Sequence, residues 1–265
     1  MQTAKLTIFT TLTTAALMTV TSWGAIAQTT PSTTSQLENL RQLLSSRECV
    51  QCDLRGAGLI VANLSRVNLA GANLSRANLS RANLDGADLR GADLRGANLN
   101  GANLSGAILT GAQVDGADLR SALFFSADLR GVNLQTAFIQ GAVGIPNYAG
   151  SPDNFYAWGV GEAGRGNYRG AIDFYNQALD LNREYAPAYL GRAVSRYRLG
   201  DRRGAVQDAN AAQILFTREN SPDGIAASEM FIKGMEAAAN PGGGGEGNFL
   251  SFLGTIGSAL IQLLF

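Results

Sequence analysis

Histidine is absent from all 265 residues of the sequence. Its absence removes the most common general base and the most common metal ligand. The chain also has no excess of positive or negative charge, because 21 basic residues balance 21 acidic ones. The net charge therefore does not predict a nucleic-acid partner. Cysteine is scarce, with only Cys49 and Cys52. We therefore expect no enzyme activity, no catalytic residues, no metal and no cofactor.

The N-terminus has the features of a secretory signal peptide over residues 1–27. Lys5 supplies a positive charge, a mostly apolar and Thr-rich stretch follows, and Ala25-Ile26-Ala27 fits a small-x-small cleavage site. The stretch is too short and too rich in Thr for a transmembrane anchor. We predict export to a periplasm, a thylakoid lumen or the extracellular space, with residues 28–34 as a linker.

Cys49 and Cys52 form a Cys-x-x-Cys pair that begins the repetitive part of the chain. A redox motif would need alternating strands and helices around it, and none is indicated here. A zinc site would need two further ligands, which the sequence lacks. Export permits a disulfide, so the pair is interpreted as structural, either bridged or as two small apolar side chains.

A period of five residues runs without a gap from Cys52 to Pro146, giving nineteen units such as Ala87-Asp88-Leu89-Arg90-Gly91. Neither a helix nor a flat strand would keep leucines five residues apart on one side. The chain must therefore turn a corner in every unit, so that Leu and Ala stack inward. Gly at the fifth position suits a corner with unusual backbone angles.

This pattern resembles the pentapeptide-repeat family, whose motif is A-(D/N)-L-x-x. The resemblance implies a right-handed quadrilateral β-helix over residues 52–146, with four units in each coil. An N-terminal cap is expected over residues 35–51, because Ser35 and Glu38 have the spacing of a capping box and leucines follow at helical intervals.

Apolar side chains interrupt the outward positions near the end of the repeats, at Leu123, Phe125 and Phe138. Two interpretations stay open: the next domain covers this patch, or the patch is an exposed contact surface. The first is favoured, because exposed apolar patches on soluble proteins are usually small.

A second period follows, because Gly166-Asn167-Tyr168-Arg169-Gly170-Ala171 recurs 34 residues later as Gly200-Asp201-Arg202-Arg203-Gly204-Ala205. This period resembles tetratricopeptide (TPR) repeats. The resemblance implies two helical hairpins over residues 152–219, closed by a capping helix over residues 221–240. The fold class expected is thus β + α, a solenoid followed by a small all-α domain.

The TPR resemblance also implies a concave, protein-binding surface on the first helix of each repeat. By register it would contain Tyr156, Val160, Ala163, Leu190, Val194 and Tyr197. The alternative is that these residues form the core of the helical domain.

The chain closes with a Gly-rich linker over residues 241–247 and an uncharged segment over 248–265. The segment is predicted to be an amphipathic helix. Such a helix could dock on the repeats, bind a partner or contact a membrane, and the sequence does not decide among these.

These features predict an exported, non-catalytic scaffold or adaptor that binds one or more protein partners, with homodimerisation left open. One alternative is a membrane-associated structural protein anchored by residues 248–265. Another follows from pentapeptide-repeat proteins that mimic DNA and inhibit gyrase, although the balanced charge disfavours it.

Overall fold

The computed structural model describes residues 31–239. The signal peptide of residues 1–27, the Gly-rich linker of 241–247 and the C-terminal helix of 248–265 lie outside the described residues and remain predictions.

Helix α1, Pro31–Ser46, lies at the entrance to the repeats. It begins inside the segment predicted as a linker over residues 28–34, with Pro at a position that suits the first turn. Ser35 and Glu38 therefore lie within the helix, and the capping box predicted for them is wrong. Leu43 is buried in the core of the first coil, and Asn39 and Gln42 donate side-chain hydrogen bonds to the carbonyls of Asp53 and Glu48 at 3.2 and 2.9 Å. The helix thus caps the repeats.

Cys49 and Cys52 are joined in a disulfide just after α1, and both lie in the core. The sequence left open whether the two cysteines are bridged or are two separate apolar side chains, and the structure contains the bridge.

The repeats form a solenoid in which each coil contains twenty residues. Parallel bridges connect residues that differ by twenty in number, from Glu48 with Asn68 to Leu123 with Val143. Each coil therefore comprises four five-residue units. Only isolated bridges form, because the chain turns before a strand can extend. Leu at third positions and most Ala at first positions are buried, as Leu89 and Ala87 illustrate.

The second position of each unit has a local role that explains its preference for Asn and Asp. The side-chain oxygen accepts a hydrogen bond from the backbone N–H two residues later, as an Asx turn requires. All thirteen Asn and Asp residues at second positions do this: Asp53, Asn63, Asn68, Asn73, Asn78, Asn83, Asp88, Asp93, Asn98, Asn103, Asp118, Asp128 and Asn133.

The fifth position has positive φ in nearly every unit, for example 64° at Gly91 and 57° at Val61. Thr136 is an exception, because its φ is not positive. The ladder slips there, because the N–H of Gly116 donates to the carbonyl of Thr136 at 3.2 Å, one residue beyond the usual acceptor.

Within residues 31–239, five further helices follow a short 3-10 turn at Asn147–Ala149: α2, Pro152–Gly164; α3, Tyr168–Leu181; α4, Ala186–Arg198; α5, Arg202–Arg218; and α6, Pro222–Ala239. Neighbours in sequence pack against each other along the whole series. Helices α2 and α3 form one hairpin, α4 and α5 form a second, and α6 packs against α5. Among the described residues, no helix is long and apolar enough to cross a membrane.

The helices continue the hydrophobic core of the solenoid without a break. Ile145 of the solenoid shares one buried cluster with Phe155 of α2 and Phe174 of α3. The Tyr148 hydroxyl also donates to the Ala127 carbonyl at 3.1 Å and accepts from the Leu129 N–H at 3.2 Å. The first helical hairpin is therefore packed on the end of the solenoid.

Candidate binding cleft at the junction

The residues predicted to form an open groove on α2 and α4 are largely buried. Tyr156 and Leu190 are fully buried, Val194 and Tyr197 nearly so, and Val160 and Ala163 are half-buried. The Tyr156 ring packs against Tyr175 and Tyr185, with ring centroids 5.9 and 5.7 Å apart. The interpretation of these side chains as core is the correct one for the buried four, because this face of each helix packs against its neighbours.

The apolar patch predicted at the end of the solenoid is largely exposed, in contrast to the residues of the predicted groove. Phe125 is 55% exposed and Phe138 is 53% exposed, while Leu123 is half-buried. The favoured interpretation, that the next domain covers this patch, is therefore wrong for both phenylalanines. Leu123 bridges to Val143 on one face of the solenoid, whereas Phe138 bridges to Asp118 on another, so the three residues do not form one surface.

Phe125 instead belongs to a cleft between the end of the solenoid and helix α3. Its volume is about 440 Å³. Phe125 and Val143 line the solenoid side, and Asp173, Phe174 and Gln177 line the helical side. The cleft thus combines apolar and polar groups at a junction of two structural units.

Glu162 fixes the floor of this cleft. The side chain is 3% exposed, and its Oε1 accepts hydrogen bonds from the Gly141 N–H at 2.8 Å and from Arg165 at 3.0 Å. Its Oε2 accepts from the Asn167 side chain at 2.7 Å. A buried carboxylate requires such partners, and here they tie α2 to the last coil.

Gln177 provides a second connection across the cleft. Its Nε2 donates to the Ile145 carbonyl at 2.6 Å and to Asn147 Oδ1 at 3.1 Å. Both walls are thereby held by hydrogen bonds, so the cleft is formed before any ligand arrives.

Asp173 is the second carboxylate of the cleft, and unlike Glu162 it is free to bind a ligand. It is exposed, and within residues 31–239 no hydrogen bond or ion pair to its side chain is found. Partial desolvation by the surrounding protein raises the pKa of this carboxyl above its ordinary value. An unpaired carboxylate beside exposed Phe125 and Val143 is complementary to a basic group that adjoins an apolar one.

Sequence reasoning missed Glu162 and Asp173 because each is an ordinary helical acid in the sequence. Their role arises from the packing of α2 and α3 on the last coil. Phe125 was identified, because it breaks the polar pattern of the outward positions. Over the described part of the chain, no cluster of three or more His, Cys, Asp or Glu side chains could hold a metal ion.

Comparison with known proteins identifies the solenoid. Residues 62–101, 87–124 and 102–141 match the family described as Pentapeptide repeats, in eight copies. No curated protein matches the chain.

Three solved structures illustrate the similarity. A pentapeptide-repeat protein from the Arabidopsis thaliana thylakoid lumen is 32% identical, over 36% of this chain and 68% of that one, with a TM-score of 0.35. Rfr23 from the cyanobacterium Cyanothece 51142 is 30% identical, over 40% and 92%, with a TM-score of 0.17. QnrB1, a plasmid-mediated fluoroquinolone resistance protein, is 25% identical, over 36% and 49%, with a TM-score of 0.28. Through its solenoid, the chain belongs to the pentapeptide-repeat family.

Proposed function

We propose that the protein is a non-catalytic scaffold that binds a protein partner in the cleft at the junction. The observation that carries this proposal is the exposure of Phe125 beside the unpaired carboxylate of Asp173, between walls held by Glu162 and Gln177. A fixed apolar surface with one charged group is typical of a site that recognises a segment of another protein. The partner would present an apolar side chain next to Lys or Arg.

The helical region is proposed to be two TPR repeats over residues 152–219, with residues 221–240 as their capping helix. The 34-residue period supports this identity at the level of individual hydrogen bonds. Asn167 caps α3 by accepting from the Gly170 N–H, and Asp201 caps α5 by accepting from the Gly204 N–H. TPR repeats commonly serve in protein binding, which agrees with a scaffold.

Export remains part of this proposal. The Cys49–Cys52 disulfide supports it, because disulfides persist in oxidising compartments. A relative from a thylakoid lumen is a further reason to favour an exported compartment.

DNA mimicry has less support from the surface of the solenoid. Five aspartates at second positions pair with the arginine two residues later: Asp53, Asp88, Asp93, Asp118 and Asp128. A surface that imitates the DNA backbone would need acidic groups that are not neutralised in this way.

A displayed-peptide selection tests the proposed function. Peptides selected on the wild-type protein are expected to contain an apolar residue next to a basic one. Phe125→Ser and Asp173→Asn should each weaken their binding at least tenfold. Phe138→Ser is the matched control, because it removes an equally exposed phenylalanine from another face. Equal binding to all three variants would refute the cleft as the site.

A further inference from the structure

A different feature lies at the other end of the solenoid, where three successive coils place arginines at one corner. The twenty-residue period brings Arg55, Ser75 with Arg76, and Arg95 into register along this corner. They line a recess of about 670 Å³, to which Gln36 of α1 also contributes. The cleft with Phe125 shares no residue with this recess.

Two of the three guanidinium groups are oriented by bidentate ion pairs with neighbouring aspartates. Arg55 donates from Nε and Nη2 to Asp53 at 2.8 and 2.7 Å, and Arg95 donates in the same way to Asp93 at 2.9 and 2.7 Å. These bidentate pairs do not engage the Nη1 groups. Donors of this kind are already ordered, so a ligand would lose little side-chain entropy in using them.

Arg76 lies between them and has no such partner. Among the described residues its guanidinium makes no ion pair and no side-chain hydrogen bond. The aliphatic part of the side chain lies over Gly96, and because Gly96 has no side chain, the recess stays open there. Asp53 and Asp93 are already paired, and Asp115, one coil further on, accepts a hydrogen bond from Thr136. Arg55 and Arg95 are thus matched by Asp53 and Asp93, and Asp115 interacts electrostatically with Arg95, so the unmatched positive charge of the recess is local to Arg76.

We propose that this recess binds a phosphate group, with Arg76 as its main charged donor. Guanidinium groups recognise phosphate oxygens through paired N–H donors, and Arg55 and Arg95 add donors on either side. An anion would also give Arg76 the counter-charge that it lacks among the described residues. The phosphate could belong to a free small molecule or to a lipid headgroup, and the chemistry at the recess is the same.

The test is calorimetric titration of the full chain with inorganic phosphate, at ionic strength held constant with chloride. Arg76→Gln should lower the affinity for phosphate at least tenfold. Arg81→Gln is the matched control and should change it less than twofold. Arg81 occupies the same position of its unit, with φ of 55° against 59° for Arg76, and it lies over Gly101 in the same way. The fourth positions of the adjoining coils, which are Arg55 and Arg95 beside Arg76, are Ile60 and Asn100 beside Arg81.

The proposal is overturned if phosphate shows no saturable binding to the wild-type protein, or if both variants lose affinity equally. Co-sedimentation with phosphatidylglycerol vesicles, compared with phosphatidylcholine vesicles, separates the two sources of phosphate. Arg76-dependent binding to the anionic vesicles as well as to free phosphate would place the site at a membrane surface. Arg76-dependent binding of phosphate alone would assign a soluble ligand. Equal thermal midpoints of the two variants would exclude misfolding as the cause.

Discussion

At the scale of single residues, the corners of the solenoid are governed by backbone angles. Most fifth positions are Gly, and six of the others adopt positive φ at a cost of roughly 1–2 kcal/mol per residue: Val61, Arg66, Arg76, Arg81, Ser121 and Ser126. Val61 is an extreme case, since it is β-branched, has φ of 57° and is 66% exposed. Its side chain therefore gains little from packing while its backbone is strained.

We expect Val61→Gly to stabilise the protein by about 1 kcal/mol, because Gly adopts positive φ without strain. The neighbouring Ile60 is similarly exposed but has no positive φ, so Ile60→Gly should destabilise the protein by about 0.5–1 kcal/mol. Chemical denaturation midpoints compare the two. A loss of stability in Val61→Gly would mean that this corner is not strained.

The residue pattern made much of the solenoid fold, and part of the cleft, predictable. The A-(D/N)-L-x-x units gave the solenoid and its four-unit coils, and the broken polar pattern identified Phe125. The fate of Tyr156 and Leu190 was not decided by the sequence, because an apolar helical face suits both a groove and a core. The burial of Glu162 was also hidden, since it depends on how α2 meets Gly141, 21 residues earlier in the chain.

At the scale of elements, the solenoid is bordered by repeated Asp–Arg pairs. The hydrogen bonds from Arg55 lower the pKa of Asp53 from 3.8 to about 2, and the arginines two residues later also lower the pKa of Asp88, Asp93 and Asp118. A lowered pKa in the folded state favours folding above the unfolded value. This stabilisation is present above pH 3.8 and is lost as the pH falls towards 2.

Thermal midpoints measured from pH 5 to pH 2 should therefore fall with pH. An Arg90→Gln/Arg95→Gln double variant should show a flatter dependence, because two carboxylates then lose their partners. Arg81→Gln should keep the wild-type slope, since no described carboxylate pairs with Arg81. The same slope in all three proteins would show that these exposed pairs contribute nothing measurable.

The helices pack through small residues around one aromatic ring. A Cβ at Gly159 of α2 would lie 2.6 Å from Tyr175 of α3, and a Cβ at Gly191 of α4 would be equally close to the same ring. Tyr175 is fully buried, so its ring could move only by displacing other side chains of the core. These glycines set the close approach of α2, α3 and α4.

Gly159→Ala should consequently destabilise the helical region by about 1–3 kcal/mol through overpacking. Gly164→Ala, at the end of the same helix, meets no atom within 4 Å and should change stability by less than about 0.5 kcal/mol. Denaturation followed by helical circular dichroism distinguishes the two variants. Equal effects would contradict the close packing on Tyr175.

At the scale of the whole molecule, two repetitive units share a core and leave a cleft where they meet. Phe155 and Phe174 bury the joint, while Glu162 and Gln177 fix its walls. The solenoid thus supplies one wall of the cleft, and the helices complete the proposed binding surface. This division explains why neither unit carries the proposed site by itself.

Photo-crosslinking in the native host tests this claim most directly, with p-benzoylphenylalanine placed at position 125 or at position 138. We expect a discrete protein crosslink from position 125, lost when Asp173→Asn is combined with it, and none from position 138. Both positions are exposed to nearly the same extent, so non-specific crosslinking would give products from both. Equal products from the two positions, or products from position 138 alone, would contradict the cleft as the binding site.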